Sequence, residues 1–474
     1  MTINPSANDI IHALEQALRS GGGPPDLAQL TARADGLAKV QGDPALVNDW
    51  EFFDLIHRAN RTFTQLGGGI VGIAGLNSPY TSSRLIRQAH ETHIAARYPE
   101  VPSRFVPRPP TGRLRVGFVG ADFFWQATAL LMIGVVEQLD RAAFEVFAYD
   151  FGGGGPSPYR DRSVAAFDRF ADIRALTDDE AAQRIHDDGI DVLIHLRGVI
   201  DTRLGIFAQR PAPVQVQYLY YPCTSGAWFM DYMIADDIVV PPEQEPFYTE
   251  KIVRLSGCYQ PNDNRRALPP ARDRDSFGLP PDAVVMANFG QPAKITPDVF
   301  DVWAALLRSD SRRILWLLKF PDAPAHEANL RREGALRGVD QSKLIFAPFD
   351  DYPVHLARLA RADLVLDTFP CGGHTVTSDA LWAATPVLTL KGEIFASRVA
   401  ASLIHATGLD NFITTNLEDY AQRAEALLAG PDQLNRARKH LEAGRTTFDL
   451  FNTALYANRF GELLNGIARR DLLG

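Results

Sequence analysis

Residues 363–379 read DLVLDTFPCGGHTVTSD, and this stretch decides the fold expected for the chain. Asp363–Asp367 is a short apolar run typical of a buried strand, Gly372 and Gly373 mark a turn, and a helical pattern starts near Ser378. A strand, a glycine-bearing turn and a helix in succession form the repeating unit of parallel α/β sheets. The stretch therefore predicts an α/β protein.

The same segment carries polar residues where its helix should begin. His374, Thr375 and Thr377 follow the turn, and Asp379 lies one helical turn further on. Backbone N–H groups and the helix dipole at such a position favour an anion such as phosphate, and a carboxylate nearby suits sugar hydroxyls. An ordinary strand–helix turn explains the same residues, since glycine allows the turn conformation and threonine caps the helix. Shape alone leaves both interpretations open.

Outward from this unit, strands alternate with helices in two successive blocks. The predicted strands are Leu114–Val119, Phe144–Tyr149, Val192–His195, Val214–Tyr218 and Tyr232–Ala235 in the first block, then Val284–Phe289, Ile314–Leu318, Leu344–Ala347, Leu364–Leu366 and Pro386–Leu390 in the second. Predicted helices lie between them, and helices near Leu417–Leu428 and Pro431–Gly444 finish the chain. Such alternation predicts mostly parallel sheets with helices on both faces.

The pattern divides the chain into three regions. Residues 1–110 have helical periodicity, as in Ile10–Leu18 and Leu85–Ala96, with at most a remnant of helical repeats. Residues 111–265 and 266–474 are predicted to be two Rossmann-like domains. Ligands bind such sheets at the carboxyl ends of the strands, so we expect a cleft between the two domains to hold the site.

Composition limits the partners. The chain has 474 residues, a net charge of −9 and a sequence pI near 5.7, which disfavours nucleic acid. Three distant cysteines form neither a disulfide framework nor a metal knuckle, and no metal site or cofactor is predicted. The N-terminus lacks signal-peptide features, and no apolar stretch approaches the ~18 residues that span a bilayer. We expect a cytoplasmic protein, with its oligomeric state left open.

Three loops of the second block hold candidate site residues. Gln291 and Lys294 follow one strand, His355 and Arg358 share a helix face after another, and His374 follows a third. A lysine beside a helix N-terminus suits a diphosphate, and a histidine can contact a base. Taken singly, these residues can also be a solvated lysine and a structural histidine. Their shared edge of one sheet favours a nucleotide site.

The first block contains fewer candidate site residues. No G-x-G-x-x-G follows Leu114–Val119, so a dinucleotide fingerprint is absent. His195 and Arg197 end the strand in VLIHLRG. His195 either faces the cleft or is a satisfied structural histidine, and its position does not decide between them.

Longer segments resemble the catalytic region of the O-linked N-acetylglucosamine transferase family, including its SPINDLY-type and bacterial members. They include LRVGFVGADF, LTDDEAAQRIHDDGIDVLIHLRG, TSGAWFMDYMIAD, KITPDVFDVW and DTFPCGGHTVTSDALWA. The resemblance runs from about Arg113 to the C-terminus, with a weaker extension back to about Asn48. Long segments in family order make it far more specific than any short motif.

The resemblance implies a metal-independent, inverting glycosyltransferase with two Rossmann-like domains of the GT-B type. It implies transfer of a sugar from a nucleotide-diphospho donor, UDP-GlcNAc above all, to Ser/Thr hydroxyls of a protein or peptide. Carried over residue by residue, it assigns six positions. Lys294 stabilises the diphosphate with Gln291 beside it, His355 contacts the base, His374 and Thr375 bind phosphate, and Asp379 binds ribose. Cys371 lies near the acetamido pocket and Arg358 joins the nucleotide-binding set.

Departures from the family pattern gather on the acceptor side. Gln126 stands where the family has its active-site histidine, and Leu130 replaces a second histidine. Tyr220 and Cys223 occupy usual glycine positions, and His195 replaces an Asp or Asn. We take Gln126 and His195 as candidate catalytic residues, His195 as a substitute base. The alternatives are a catalytically silent relative that binds a nucleotide or protein partner, or a transferase with another sugar donor or a small-molecule acceptor.

Overall fold

A computed structural model describes residues 47–50, 53, 57, 60–61, 64, 69–106 and 112–472. The predicted helix Ile10–Leu18 lies outside the described residues. The chain forms two compact units. We call Ile86–Arg266 together with the chain from Thr446 onward the N-unit, and Ala267–Arg445 together with the chain up to Leu85 the C-unit.

The N-unit is built on a parallel sheet. Its described strands are β1 (Leu114–Gly120), β2 (Phe144–Asp150), β3 (Arg169–Asp172), β4 (Val192–His195), β5 (Val214–Gln217), β6 (Tyr232–Ala235) and β7 (Lys251–Arg254). Its described helices are α1 (Ser83–Arg97), which begins in the C-unit, α2 (Ala127–Gln138), α3 (Pro158–Ala166), α4 (Asp178–Asp187), α5 (Leu204–Ala208) and, at the chain end, α13 (Thr453–Leu472). The strand order is β3-β2-β1-β4-β5-β6-β7, with every pair parallel.

The C-unit repeats the plan. Its described strands are β8 (Val284–Asn288), β9 (Arg313–Leu318), β10 (Leu344–Ala347), β11 (Leu364–Leu366), β12 (Val387–Leu390) and β13 (Ile413–Thr414). Its described helices are α6 (Pro297–Ser309), α7 (His326–Leu336), α8 (Tyr352–Leu359), α9 (Thr375–Trp382), α10 (Val399–His405), α11 (Leu417–Ala429) and α12 (Pro431–Gly444). The order β10-β9-β8-β11-β12-β13 is again parallel throughout. The predicted α/β class, with two parallel sheets, is confirmed.

Central strands form because continuous apolar runs can be buried on both faces only in such a sheet. Every residue of β9 and β12 is buried. Helix starts follow from local chemistry, as at α4, where Thr177 and Glu180 form a reciprocal capping box. Burial and capping together fix where the elements lie.

In both sheets the strand order reverses direction between two neighbouring strands near the centre of the sheet. The chain leaves β8 toward β9 on one side and later enters β11 on the other, so β8 and β11 are neighbours. Ligands of open α/β sheets bind outside the carboxyl ends of the strands at such a point. In the C-unit that position belongs to the loops beginning at Phe289 and Asp367.

Several predicted boundaries are wrong. The chain does not finish at Gly444, because α13 follows, packs against α2 and buries Phe460 and Leu464. The helix expected near Ser378 begins at Thr375. Strands β3, β7 and β13 were not predicted, since they are short edge or near-edge strands whose apolar pattern is weak. No helix of the described residues is long and apolar enough to cross a membrane.

Candidate functional site in the C-unit

The turn after β11 is organised by Asp367. Its Oδ1 accepts the backbone N–H groups of Thr368 and Gly373 at 2.9 and 2.6 Å, and its Oδ2 accepts the Thr389 hydroxyl at 2.7 Å. The Tyr420 hydroxyl donates to the Asp367 carbonyl at 2.9 Å. These bonds fold the glycine turn back onto the sheet and fix where α9 starts.

Lys294 reaches the same turn from the neighbouring strand. It ends a short 3-10 helix, Pro292–Lys294, after β8, and its Nζ donates to the Gly372 carbonyl at 2.7 Å. Thr296 adds a bond from its hydroxyl to the Phe369 carbonyl at 2.9 Å. The loops after β8 and β11 therefore meet at the start of α9, with an ammonium group beside the helix N-terminus. Gln291, also predicted for the site, is exposed at the start of this 3-10 helix.

His374 immediately precedes α9. Its Nε2 is buried and has no hydrogen-bond partner among the described residues. Burial, and then the charge of Lys294, lower the pKa of His374 to about 3. The imidazole is therefore neutral near pH 7. Thr375, the first residue of α9, is half-buried beside it.

A second cluster lies one turn into α9. Asp379 accepts the Tyr352 hydroxyl at Oδ1 over 2.7 Å, and its Oδ2 lies 3.8 Å from His355 Nε2. The His355 ring also lies near Phe289, with 5.8 Å between ring centroids. Burial lowers the pKa of His355, against the opposing charge of Asp379. A carboxylate, a phenol and a neutral imidazole thus gather at the carboxyl edge of the sheet.

Two other predicted nucleotide residues face inward. Arg358 is buried and donates to the Pro348 carbonyl at 2.7 Å and to Asp350 at 3.1 Å, so it braces the loop between β10 and α8. The Cys371 thiol is buried in the turn, and burial raises its pKa. In this arrangement both residues shape the loops that carry Lys294, His355 and His374.

In the N-unit, His195 is fully buried at the end of β4. Its Nε2 lies 2.7 Å from Asp201 Oδ2, and its ring packs 4.5 Å from that of Phe207, centroid to centroid. The Asp201 side chain is buried as well. An imidazole with no exposed surface cannot touch a substrate in this conformation, so the placement favours the structural interpretation of His195.

Gln126 is exposed and precedes α2. Its side chain makes no capping hydrogen bond to the described start of that helix. Nearby at the same sheet edge, Arg197 forms a two-oxygen ion pair with Asp122 at 2.8 and 2.9 Å and lies over the Tyr220 ring at 4.7 Å. Burial raises the pKa of Asp122, while Arg197 opposes that effect.

Sequence reasoning missed Asp367, Tyr352 and Asn288 as parts of the C-unit site. Asn288 joins the two loops, because its Nδ2 donates to the Leu366 carbonyl at 2.8 Å and its Oδ1 accepts the Gly290 N–H at 3.0 Å. Polar residues that end β8 and β11 were a usable signal, since buried strands rarely finish on Asn or Asp without a partner. Tyr352 carried no such signal.

The described residues include no group of three or more His, Cys, Asp or Glu side chains placed to hold a metal ion. Positive charge at the candidate site comes from Lys294 and from the N-terminus of α9.

The chain is similar in sequence and in fold to known proteins. The glycosyl transferase family 41 model matches residues 100–274 and 266–460. A probable UDP-N-acetylglucosamine–peptide N-acetylglucosaminyltransferase, SEC of Arabidopsis thaliana, is 37% identical over 72% of this chain, and its Caenorhabditis elegans counterpart is 27% identical over 76%. The chain spans only 36% and 41% of those two proteins.

A solved structure of a mutant O-GlcNAc transferase from Thermobaculum terrenum is also similar. It superposes with a TM-score of 0.77 at 26% identity, covering 100% of this chain and 99% of that one. The family model matches far more than half of the sequence, and the chain belongs to glycosyltransferase family 41.

Proposed function

We propose that the chain transfers N-acetylglucosamine from UDP-GlcNAc to Ser/Thr hydroxyls of proteins. The observation that carries this is the meeting of Lys294 with the turn before α9, one helical turn from the Asp379 cluster. An ammonium group and a carboxylate at that spacing suit the diphosphate and the ribose of one sugar nucleotide. The names of the relatives in Arabidopsis and Caenorhabditis support the choice of sugar and acceptor.

Lys294 is assigned to the leaving group. As the bond between the sugar's anomeric carbon and the diphosphate breaks, negative charge grows on the phosphate oxygens. Lys294 and the first-turn N–H groups of α9 would stabilise that charge, and His374 precedes that first turn directly. Lys294 and the N-terminus of α9 supply positive charge for the diphosphate, and we propose that the reaction needs no added metal.

The nucleoside is assigned to the Asp379 cluster. The Asp379 carboxylate would accept a ribose hydroxyl, and Tyr352 holds that carboxylate in place. His355 would meet the base as a neutral imidazole, because burial lowers its pKa. Cys371, whose thiol is buried in the turn, would shape the sugar end of the site, where the family resemblance places it.

The acceptor hydroxyl attacks the anomeric carbon from the face opposite the diphosphate, so a single displacement inverts the configuration. The acceptor oxygen forms the new bond, the diphosphate leaves with its bonding electrons, and the acceptor proton passes to a base. Gln126 cannot take up that proton, since an amide is not a base near pH 7. Water or another acceptor-side group must therefore receive it.

The exposed Gln126 and the buried His195 favour one other candidate function. A relative without a base on its acceptor side would bind UDP-GlcNAc without turning it over. It would act as a binding protein for the nucleotide or for a protein partner.

One experiment separates the two functions. The purified chain is incubated with UDP-GlcNAc labelled in the sugar, with and without a protein extract and with and without EDTA. We expect release of UDP and labelled protein, both unchanged by EDTA and strongly reduced in Lys294→Met. Binding of UDP-GlcNAc, measured by calorimetry, without any UDP release would establish the silent alternative. In a parallel thermal-shift screen of UDP and GDP sugars, stabilisation by GDP sugars alone would show that UDP-GlcNAc is not the donor.

A further inference from the structure

Asp367 is a buried carboxylate behind the diphosphate site. Only 4% of the residue is exposed, and its two oxygens accept three hydrogen bonds from Thr368, Gly373 and Thr389. The bond from the Gly373 N–H, at 2.6 Å, closes the turn into a ring at the end of β11. The proposed transfer reaction gives no part to the charge of this carboxylate.

The Asp367 carboxylate leaves no room for a side chain at the two glycine positions of the turn. A Cβ at Gly372 would lie 2.8 Å from Asp367 Oδ2, and a Cβ at Gly373 would lie 3.2 Å from Oδ1. Gly373 would also meet the Thr377 hydroxyl at 2.4 Å. Glycine is therefore required here because the backbone passes directly over the carboxylate.

Gly372 joins Asp367 to Lys294. Its carbonyl accepts a hydrogen bond from Lys294 Nζ, and a Cβ added to it would lie against the Asp367 carboxylate. The positive charge of Lys294 acts on Asp367 across this residue. A negative and a positive group are thus separated by one peptide of the turn that the diphosphate would approach.

We propose that Asp367 is a positioning and charge-balancing residue for the sugar-nucleotide donor: it closes the phosphate-binding turn, and its charge offsets that of Lys294. The inference rests on the proposed function, since it concerns the same diphosphate. Its bonds hold the turn in shape for the donor. The charge of Asp367 is buried close to Lys294, where the protein interior screens it poorly. It therefore weakens the attraction between Lys294 and a dianionic ligand. Release of the diphosphate product becomes easier as a result.

The proposal has a pH consequence. Burial raises the pKa of Asp367 to about 6, against the opposing effects of Thr389 and Lys294. Among the described residues, the titratable groups that act on it are Lys294, Cys371 and Tyr420. Burial raises the pKa of both the Cys371 thiol and the Tyr420 phenol, so both stay neutral when Asp367 titrates. The donor should bind more weakly as pH rises through the Asp367 pKa.

The test uses Asp367→Asn in the full chain, because an amide keeps the size and most hydrogen bonds of the carboxylate but not its charge. Thr389→Val is the matched control, since it removes one bond to the same carboxylate and leaves the charge. Binding of UDP-GlcNAc is measured by calorimetry from about pH 5 to about pH 7.5, the range that brackets the titration. The donor's diphosphate charge is constant over this range, so changes report the protein.

We expect Asp367→Asn to bind UDP-GlcNAc on the order of tenfold more tightly than the wild type at the upper pH, with a flatter pH dependence. Thr389→Val should keep a pH dependence of the wild-type form. Its midpoint should lie at higher pH, because the Thr389 hydrogen bond, which lowers the pKa of Asp367, is lost. Equal affinity and equal pH dependence in wild type and a folded Asp367→Asn would overturn the inference while leaving the proposed function standing. A wild-type chain that binds no UDP-GlcNAc at any pH would overturn both.

Discussion

The Lys294 ammonium lies 2.7 Å from the Gly372 carbonyl, so the loop after β8 is tied to the turn after β11 by the group that the family resemblance assigns to the diphosphate. The two strands are neighbours only because the chain reverses direction across the sheet between them. The lysine is thus held at the helix N-terminus before any ligand arrives. A charge fixed in advance needs little reorganisation when the leaving group develops its own.

Replacing Lys294 by Met should lower turnover about 10²- to 10³-fold, because it removes the fixed charge that faces the leaving diphosphate. Thermal stability should change little, since the lost bond is one lysine–carbonyl contact. UDP release and a melting curve measure the two effects. Lys319→Met is the control, because Lys319 is an exposed lysine of the same unit that pairs with Glu327. Near-wild-type turnover in Lys294→Met would remove this lysine from the mechanism.

Replacing Asp379 by Asn should weaken UDP-GlcNAc binding about tenfold or more, because a charge-assisted bond to ribose is lost. Turnover at saturating donor should fall less, since the reacting bond is remote from the nucleoside. Tyr352→Phe removes only the phenol that holds the carboxylate, so its effect should lie between wild type and Asp379→Asn. Steady-state KM and kcat separate these effects. An unchanged KM in both variants would contradict the ribose assignment.

Replacing Gln126 by His should raise transfer to protein on the order of tenfold or more if the acceptor side lacks a base, because imidazole titrates near neutral pH. The change should cost little stability, since the Gln126 side chain is exposed and caps no N–H of the described helix. Gln126→Ala is the control for simple loss of the amide. A histidine variant no faster than the alanine variant, with donor binding intact, would show that a base at this position is not what limits the enzyme.

Replacing His195 by Ala should lower stability by about 1–3 kcal/mol, because the buried Asp201 loses its partner. The shape of the pH–rate profile should stay that of the wild type, since a fully buried imidazole does not meet substrate. Denaturant unfolding and the profile are measured on the same preparation. Loss of one limb of the profile, at unchanged stability, would instead make His195 the base.

The fold was predictable because its central strands are continuous apolar runs. The bounds of β4, β6, β10 and β11 were predicted to the residue, since a buried parallel strand leaves a clear pattern and ends at polar letters. The final helix α13 was missed although its buried face is a regular apolar stripe of Tyr456, Phe460, Leu464 and Ile467 at helical spacing.

The site was predictable in part. The sequence predicted that Lys294, His374 and Asp379 lie at one edge of one sheet, and they lie there in the structure. The sequence does not reveal which side chains are buried. In the structure Arg358 faces inward, His195 is enclosed and Asp367 accepts hydrogen bonds from its own turn. Whether a polar side chain faces a ligand or its own backbone depends on contacts between residues far apart in sequence.

Asp367 also predicts how stability varies with pH. Burial raises its pKa from the ordinary 3.8 to about 6, so between these values the folded chain holds a proton that the unfolded chain has released. Stability from this group is full below about pH 4 and is lost as pH rises through about 6, by on the order of 3 kcal/mol. Asp367→Asn should remove that dependence, because an amide does not titrate. Unfolding free energies of wild type and variant, measured at each pH, should therefore diverge as pH rises in favour of the variant, and two parallel curves would contradict the raised pKa.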